Sequence, residues 1–209
     1  MIAIIDYGRG NLGSVLNGLS RVGMRAEITQ DAEVVRRARA LILPGDGAFR
    51  DAIENLQNLG LLNPLRESLI SGRPFLGICL GYQLLFSESE EFGHAKGLDL
   101  IPGLVRRFPG GLRAQGLKVP HMGWNRVMHQ GDLPILEGIP SGAYFYFVHS
   151  YYPEPLDGSL TVATCTYGVP FPAVIGKGRM FGTQFHPEKS QRWGLRLLEN
   201  FARLVERDA

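Results

Sequence analysis

Cysteine is scarce in this chain of 209 residues, which contains only Cys79 and Cys165. Two cysteines are too few for a disulfide framework, so we expect reduced thiols. Long hydrophobic runs are also missing, and none approaches the roughly 20 apolar residues of a membrane-spanning helix. The apolar N-terminus ends at Asp6, too early for the core of a secretory signal. We therefore expect a soluble, cytoplasmic protein without a membrane partner.

An excess of charge of one sign is lacking as well. The 22 Lys and Arg side chains nearly balance the 20 Asp and Glu side chains, which gives a net charge of +2. No lysine-rich stripe with interleaved aromatic residues is present, so we expect no nucleic-acid partner. The five histidines and two cysteines are scattered without the spacing of metal ligands. We accordingly predict neither a metal site nor a cofactor.

Strand and helix patterns alternate in the first half of the chain. Short apolar runs indicate buried strands, and the segments between them have helical patterns. We predict strands at residues 2–5, 26–29, 40–43 and just before Cys79, and helices at residues 14–22, 50–58 and 64–71. This alternation predicts an α/β fold with a doubly wound, mostly parallel central sheet and helices on both faces, as in flavodoxin-like proteins.

The pattern changes after about residue 97. Aromatic and β-branched runs at 143–149, 161–166 and 180–185 are separated by Gly and Pro, which predicts extra antiparallel hairpins. Apolar residues at helical spacing over 193–205 predict a final helix that packs on the sheet. Because no stretch has the composition of a linker, we predict a single domain over residues 1–209.

The segment GICLGYQ at residues 77–83 has the pattern of a nucleophile elbow. A strand that reverses into a helix within one residue brings its flanks into near contact, so a Cβ at Gly77 or Gly81 would clash. Cys79 would then adopt a strained φ/ψ combination with its thiol projecting from the sheet. The alternative is a buried core cysteine beside packing glycines, and only a base elsewhere in the chain favours the elbow.

The residues that follow Cys79 complete this interpretation. An amphipathic segment at 82–86 predicts a helix, whose dipole and free N–H groups would favour a thiolate. The Leu80 N–H would face a developing oxyanion, and Gln83 would lie on the same helical face as Cys79.

Candidate bases are the five histidines, His94, His121, His129, His149 and His186. His186 differs from the others because it ends a strand-like run and is followed by Pro187 and Glu188. On a strand, His186 and Glu188 would share one face, and Pro187 would end the strand there. A carboxylate on one ring nitrogen orients the imidazole while the other nitrogen takes the thiol proton. A surface His–Glu pair of little consequence is the alternative.

The loop PGDG at residues 44–47 is the candidate second oxyanion donor. It follows the third predicted strand, which in a doubly wound sheet can end beside the elbow strand. Its glycines let the backbone approach a substrate, so we expect the N–H of Asp46 rather than its side chain to act. The alternative is a simple turn.

The sequence GRGNLG at residues 8–13 fits the dinucleotide fingerprint, and Asp31 lies where a ribose-binding acid is expected. Nucleotide binding is therefore an open alternative at this position. However, Asp6 and Tyr7 intervene after the strand, and little chain remains for a separate substrate domain. We favour a tight turn at the carboxyl edge of the sheet.

These motifs together resemble the class I glutamine amidotransferase family. The resemblance rests on GxCxGxQ at 77–83, His-Pro-Glu at 186–188 and PGxG at 44–47, and it spans nearly the whole chain. It implies that Cys79 attacks the glutamine carboxamide, that His186 moves the proton and that Glu188 orients His186. It also implies an oxyanion hole and a glutamine pocket, formed by the N–H groups of Leu80 and Asp46 and by Gly47, Gln83, Glu91, Ser150 and Tyr151.

Further segments, at 6–11, 120–125, 146–151 and 186–190, resemble one branch of that family. In that branch the glutaminase delivers ammonia to a separate (β/α)8-barrel cyclase subunit in histidine biosynthesis. The resemblance implies a heterodimer whose cyclase-facing residues are Asn11, Met122, Trp124, Tyr146 and Lys189. Without it, the two aromatic residues would be interpreted as core and the lysine as a solvated charge.

Asp46 departs from the family pattern, where we expect an apolar residue. Its carboxylate would repel an oxyanion if it pointed inward, so we predict that it points outward. From the two loop glycines we form the hypothesis that the Asp46 N–H is turned away in the free subunit and rotates on activation.

Two other functions stay open from the sequence. One is a glutaminase of another pathway, such as those for anthranilate, pyridoxal phosphate or guanylate, because the elbow and the His-Pro-Glu motif are shared. The other is a non-catalytic thiol sensor or binding protein on a flavodoxin-like scaffold, in which His186 and Glu188 would have no required role.

Overall fold

The chain builds two β-sheets flanked by six α-helices in the residues that the structure, a computed structural model, describes: 1–130 and 133–207. The strands are β1 (Ile2–Ile5), β2 (Ala26–Thr29), β3 (Ala40–Leu43), β4 (Phe75–Ile78), β5 (Phe86–Ser89), β6 (Ala95–Lys96), β7 (Ile101–Arg107), β8 (His121–His129), β9 (Ala143–His149), β10 (Tyr151–Pro155), β11 (Thr161–Tyr167), β12 (Val169–Lys177) and β13 (Met180–Thr183). The helices are α1 (Leu12–Arg21), α2 (Ala32–Arg37), α3 (Phe49–Asn58), α4 (Leu62–Ile70), α5 (Leu80–Gln83) and α6 (Gln191–Glu206). Short 3-10 helices cover Gly110–Gln115, Pro134–Leu136, Gly158–Leu160 and Pro187–Lys189.

The larger sheet has nine strands in the order β2-β1-β3-β4-β13-β12-β11-β8-β9. Its first half is parallel, because β1 pairs with β2 and β3, β3 with β4, and β4 with β13. The remaining pairs, from β13 to β9, are antiparallel. The predicted α/β fold with a mostly parallel sheet and C-terminal hairpins is therefore confirmed.

Helices cover both faces of the parallel half. On one face, Val15 of α1 and Phe201 of α6 are fully buried and belong to the same apolar cluster as Ile4 of β1. On the other face, Leu65 of α4 belongs to a second cluster together with Ile5. Strands covered on both faces have no polar side, which explains why all four residues of β1, β3, β4 and β13 are buried. No helix of the described residues is long and apolar enough to cross a membrane.

The helix expected over 82–86 is wrong. Helix α5 is a single turn that ends at Gln83, and Phe86 already starts β5. The carbonyls of Leu84 and Leu85 accept hydrogen bonds from Leu98 and Leu100 of a distant segment. These long-range bonds draw the chain away from the helix and into the second sheet, whose order is β10-β7-β5-β6.

The antiparallel half of the large sheet curls back toward its centre. Strand β9 is the last strand of the sheet, three strands removed from β13. Nevertheless, the backbone N–H of His186, just after β13, donates to the carbonyl of Tyr146 in β9 at 2.9 Å. This closure brings the C-terminal end of β9 to the carboxyl end of β4, where Cys79 lies.

Candidate active site

Cys79 occupies the sharp turn between β4 and α5. Its φ of 54° and ψ of −106° lie outside the regions that L-residues favour. Its backbone N–H donates to the Thr183 carbonyl at 2.7 Å, which ties the turn to β13. A Cβ on Gly81 would lie 1.8 Å from the Leu43 carbonyl oxygen, and one on Gly77 would lie 2.7 Å from the Gly81 oxygen. The elbow is therefore the strained turn that the two glycines predict.

The helix after the elbow contributes less than the sequence suggests. Because α5 is one turn long, few peptide dipoles add up beneath the thiol. Two other groups reach the sulfur: Gln184 Nε2 lies 3.7 Å from Cys79 Sγ, and the Val148 carbonyl lies 3.8 Å from it. A thiolate at this position would have the Gln184 amide as a donor.

His186 and Glu188 form a buried pair, with 2.7 Å between Nδ1 and Oε1. Their side chains are only 6% and 1% exposed. The expectation that both lie on one face of a strand is wrong, because β13 ends at Thr183. His186 instead precedes the 3-10 turn Pro187–Lys189, and this turn folds Glu188 back onto the ring. Proline suits the first position of such a turn, since its φ is preset and it has no N–H to satisfy.

The charges around His186 favour its protonated form. Burial alone would lower the pKa of His186, but the negative charge of Cys79 and then the bonded Glu188 outweigh burial and raise the pKa well above the ordinary value. The Cys79 sulfur also acts on this ring as a side-chain hydrogen-bond partner, and the buried Nε2 has no other partner among the described residues. That nitrogen is free to exchange a proton with the thiol or a substrate.

Ser190 braces the histidine and was not singled out from the sequence. Its Oγ accepts a hydrogen bond from the Tyr146 N–H at 3.0 Å and donates to the His186 carbonyl at 2.6 Å. The hydroxyl therefore joins β9 to the turn that carries His186. The only sequence signal is its place directly after the His-Pro-Glu-Lys motif.

Gln184 is a second residue that sequence reasoning missed. It is fully buried, and its Oε1 accepts a hydrogen bond from Gln83 Nε2 at 3.2 Å. The same Gln83 nitrogen donates to the Tyr151 carbonyl at 2.9 Å. Gln184 thus connects the sulfur of Cys79 with the predicted glutamine-binding residues. A polar residue inside an apolar strand-like run was the available signal.

A cavity of about 380 Å³ opens above the thiol. This volume falls in the range of about 300–1,000 Å³ that small-molecule sites occupy. Eleven predicted site residues line the cavity: Asn11, Asp46, Gly47, Cys79, Leu80, Gln83, Glu91, Ser150, Tyr151, His186 and Lys189. Pro120, Val148 and His149 complete the wall. Four predicted residues do not line it: Glu188, which lies against His186, and Met122, Trp124 and Tyr146.

Glu91 is anchored at the N-terminus of α3. Its Oε2 accepts a hydrogen bond from the N–H of Phe49, the first residue of that helix, at 2.7 Å. Burial raises the pKa of the Glu91 carboxyl; the Phe49 N–H opposes this shift, and the charge of Asp51 adds to it. The remaining acceptor capacity of the carboxylate faces the cavity.

Asp46 is exposed, and its carboxylate accepts a hydrogen bond from the Gly10 N–H at 3.2 Å. The glycine-rich turn at residues 8–13 therefore supports the loop that follows β3. Arg9 of the same turn forms an ion pair with Asp51 of α3 at 3.1 Å. Asn11 caps α1, because its Oδ1 accepts the Ser14 N–H at 3.2 Å.

The predicted partner-facing residues of β8 and β9 form an exposed apolar surface. Met122 and Trp124 are 63% and 46% exposed, and Trp124 lies directly opposite Tyr146 in the strand pair. The two rings meet edge to face with their centroids 6.1 Å apart. Met128 and Tyr144 extend the same exposed face. Among the residues that the structure describes, no group of three or more His, Cys, Asp or Glu could hold a metal ion.

Comparison with known families agrees with this geometry. The sequence model of the family described as "Glutamine amidotransferase class-I" matches residues 3–205. The chain belongs to this family. As a class I glutamine amidotransferase it is a glutamine-hydrolysing enzyme.

Three similar proteins share one name. "Imidazole glycerol phosphate synthase subunit HisH" of Syntrophotalea carbinolica is 56% identical over 203 residues, which cover 96% of this chain and 98% of that protein. The protein of the same name from Geobacter sulfurreducens is 53% identical over 205 residues, covering 97% and 98%. That from Geobacillus kaustophilus is 51% identical over 202 residues, covering 96% and 95%.

Solved structures of low sequence identity share the fold. One described as "Crystal structure of glutamine amidotransferase" superposes with a TM-score of 0.72 at 20% identity, covering 99% of this chain and 100% of that one. The structure of PurLQS from Thermotoga maritima gives a TM-score of 0.71 at 16% identity, covering 98% of each chain. At these identities the similarity establishes the architecture alone.

Proposed function

We propose that this chain is the glutaminase subunit of imidazole glycerol phosphate synthase and acts in histidine biosynthesis. Full-length relatives of that name at 48–56% identity support the assignment. In this proposal residues 1–209 act as a single glutaminase domain. The observation that carries the chemistry is the strained Cys79 elbow beneath a cavity that His186, buried and paired with Glu188, also lines.

The first half of the reaction cleaves the glutamine carboxamide. The Cys79 thiolate attacks the amide carbon, and the carbonyl electron pair moves onto oxygen to form a tetrahedral oxyanion. His186 donates its proton to the leaving nitrogen as the C–N bond breaks, so ammonia departs and a thioester remains. Glu188 keeps the imidazole oriented and supports its positive charge.

The second half reverses these roles. His186, now neutral, takes a proton from a water molecule, and the resulting hydroxide equivalent attacks the thioester carbon. Collapse of the second tetrahedral species releases glutamate and restores the thiolate–imidazolium pair. The backbone N–H groups of Leu80 and Asp46 would stabilise both oxyanions, and such donors typically contribute about 3–4 kcal/mol each.

Glutamine would occupy the cavity between the elbow and the β9–β10 corner. Gly47, Gln83, Glu91, Ser150 and Tyr151 line this space and offer donors and acceptors for the substrate's α-amino and α-carboxylate groups. The Glu91 carboxylate suits an ammonium group, since it is partly buried and keeps acceptor capacity. The proposal is supported by the convergence of these polar groups on one side of the thiol.

The partner in this proposal is a (β/α)8-barrel cyclase subunit that forms a cytoplasmic heterodimer with this chain. The names of the relatives describe a subunit, which supports a partner. The exposed surface of Met122, Trp124 and Tyr146 would contact the cyclase, with Asn11 and Lys189 at the mouth of the cavity. Ammonia would pass through a channel to the cyclase, where the lyase reaction of the synthase takes place. Allosteric activation by the loaded cyclase would prevent wasteful hydrolysis.

Glutamine hydrolysis measured with and without the cyclase and its substrate tests the proposal. We expect the loaded cyclase to raise turnover strongly, and Cys79→Ala or His186→Ala to lower kcat by more than about a thousandfold. Cys165→Ala is the matched control, because Cys165 is a buried thiol whose pKa burial raises to about 12. Unchanged turnover in His186→Ala would remove the assignment of His186, and no response to the cyclase would favour another amidotransferase pathway.

A further inference from the structure

A chain of hydrogen bonds runs through the interior from β8 to the wall of the cavity. Asn125 Nδ2 lies 3.2 Å from His121 Nε2, and His121 Nδ1 lies 2.9 Å from His149 Nε2. His149 Nδ1 in turn lies 2.9 Å from the Tyr151 carbonyl oxygen. Both histidines are nearly fully buried, and neither has a role in the chemistry proposed above.

The hydrogen-bond partners at the two ends of this series determine which ring nitrogen of each histidine carries the proton. The Asn125 amide oxygen accepts the Arg126 N–H at 2.8 Å, and its nitrogen donates to the Thr166 carbonyl at 3.0 Å. The second Asn125 hydrogen therefore points at His121 Nε2, which must be an acceptor. His121 then carries its proton on Nδ1 and donates to His149 Nε2. His149 likewise carries its proton on Nδ1 and donates to the Tyr151 carbonyl.

Both rings are neutral in this arrangement. A proton added to His149 Nε2 would face the Nδ1–H of His121 at 2.9 Å, and the chain would break. Burial also favours the neutral form of both rings, because it lowers the pKa of His121 to about 4 and that of His149 to about 3. His121 is also stacked between Phe147 and Tyr167, with ring centroids 4.8 and 4.0 Å away.

The end point of the chain is a corner of the substrate cavity. Tyr151 starts β10 directly after β9 has ended at His149, so the polypeptide passes there from the large sheet to the small one. Its carbonyl accepts two hydrogen bonds, one from His149 and one from Gln83 of the elbow helix. Ser150 and Tyr151 both line the cavity.

We infer that His121, His149 and Asn125 are positioning residues that hold the Ser150–Tyr151 wall of the glutamine pocket through the Tyr151 carbonyl. The inference rests on the proposed function, because it takes the cavity to be the glutamine site. It assigns a role to the direct opposition of His121 and His149 in the β8–β9 pair. A shift of one residue in this register would separate the rings onto opposite faces.

Imidazole ¹⁵N NMR on the full-length chain tests the hydrogen-bond chain without reference to activity. We expect His121 and His149 both to be neutral Nδ1–H tautomers at neutral pH, with scalar coupling between His149 Nε2 and His121 Nδ1. Neutral histidine in water prefers the other tautomer, so the result is diagnostic. A protonated Nε2 on either ring would overturn the inference.

Kinetics with the cyclase present test the positioning role. His121→Phe keeps the stacked ring and removes the hydrogen bonds, so we expect KM for glutamine to rise about five- to tenfold while kcat changes less than about twofold. His121→Asn restores a donor near the Nδ1 position and should recover most of the loss. His129→Phe is the matched control, because His129 lies on the same strand and its ring Nε2 bonds the Ile139 carbonyl, which is not part of this series of hydrogen bonds.

The outcomes separate the two proposals. An unchanged KM in a folded His121→Phe variant, or an equal rise in His129→Phe, overturns the positioning role and leaves the glutaminase assignment intact. Failure of the unaltered chain to hydrolyse glutamine with its cyclase overturns the function and the positioning role together. If His121→Phe does not fold, Asn125→Ala, which removes the donor to His121 Nε2, takes its place: a rise in KM for glutamine supports the role, and an unchanged KM opposes it.

Discussion

The carboxylate of Asp46 accepts a hydrogen bond of 3.2 Å from the backbone N–H of Gly10. The bond joins the loop after β3, which carries the proposed oxyanion donor, to the turn before α1. Gly47, the next residue, has a φ of 87°, a conformation that glycine adopts readily. Asp46 has a glycine on each side, and its carboxylate makes one hydrogen bond to the neighbouring turn, which we call the latch. This arrangement suits a rotation of the Asp46 peptide when the latch is broken.

Asp46→Ala should raise glutamine hydrolysis by the isolated chain. Removing the latch lets the loop sample the conformation in which its N–H faces the substrate, and one hydrogen bond of this kind corresponds to about three- to tenfold in rate. Steady-state glutaminase assays without the cyclase measure this. Asp46→Asn keeps an acceptor oxygen for Gly10 and removes the charge, so its basal rate should stay close to that of the unaltered chain. Equal increases in both variants would indicate that the charge rather than the latch restrains the reaction.

Glu188→Gln should lower kcat by about 10²–10⁴ with little change in KM, the range associated with a positioned acid–base catalyst. Glu188 raises the pKa of His186, so its removal should also move the kinetic pKa of the imidazole downward. The pH profile of kcat/KM with saturating cyclase measures both effects. Glu199→Gln is the control, since Glu199 forms half-exposed ion pairs on α6 far from the thiol. A pH profile that does not shift in Glu188→Gln would contradict the prediction that Glu188 raises the pKa of His186.

Stability should fall as the pH decreases from about 6.5 toward 4. The folded chain keeps His121 and His149 neutral, with pKa values of about 4 and about 3, whereas the unfolded chain takes up protons near the ordinary histidine pKa of 6.5. The raised pKa of His186 acts in the opposite direction, and its contribution is lost as the pH rises above 6.5. Urea unfolding between pH 4 and 7 measures the slope, which should be shallower in His121→Phe. An identical slope in His121→Phe would contradict the assignment of His121 as a histidine that stays neutral in the folded chain.

Gly81→Ala should destabilise the fold by about 3 kcal/mol or more, because the added methyl group overlaps the Leu43 carbonyl at 1.8 Å and the backbone there is held in the sheet. Chemical denaturation measures the loss. Gly13→Ala is the matched control: Gly13 lies in α1 with no atom within 4 Å of the added Cβ, so the same change should stabilise by about 0.5–1 kcal/mol. Equal stability of both variants would refute the close contact at the elbow.

Trp124→Ala should weaken binding to the cyclase by about 2 kcal/mol or more, as expected for an exposed aromatic residue at the centre of an interface. The free energy of unfolding of the isolated chain should change little, since the ring is nearly half exposed. Titration calorimetry and thermal unfolding measure the two quantities. Ile70→Ala, at a 69% exposed residue of α4, provides the comparison. Equal affinities in the two variants would place the cyclase elsewhere.

Local patterns in the sequence predict much of the parallel half of the fold and the strained turn at Cys79. Strands β1 and β3 begin and end where their apolar runs do, because strands buried on both faces leave a continuous local signal. The elbow was also predictable, since Gly77 and Gly81 are required by contacts within a few residues of Cys79 or across to β3.

Contacts between distant segments set how the remaining parts meet. The pairing of β9 with the turn at His186, the end of α5 at Gln83 and the opposition of His121 and His149 all depend on hydrogen bonds between distant segments. His186 and Glu188 meet through a 3-10 turn rather than along a strand. Such contacts leave no local periodicity in the sequence, because each depends on sheet curvature and register that the whole chain sets. Most residues that line the cavity could therefore be named from the sequence, but the geometry that brings them together could not.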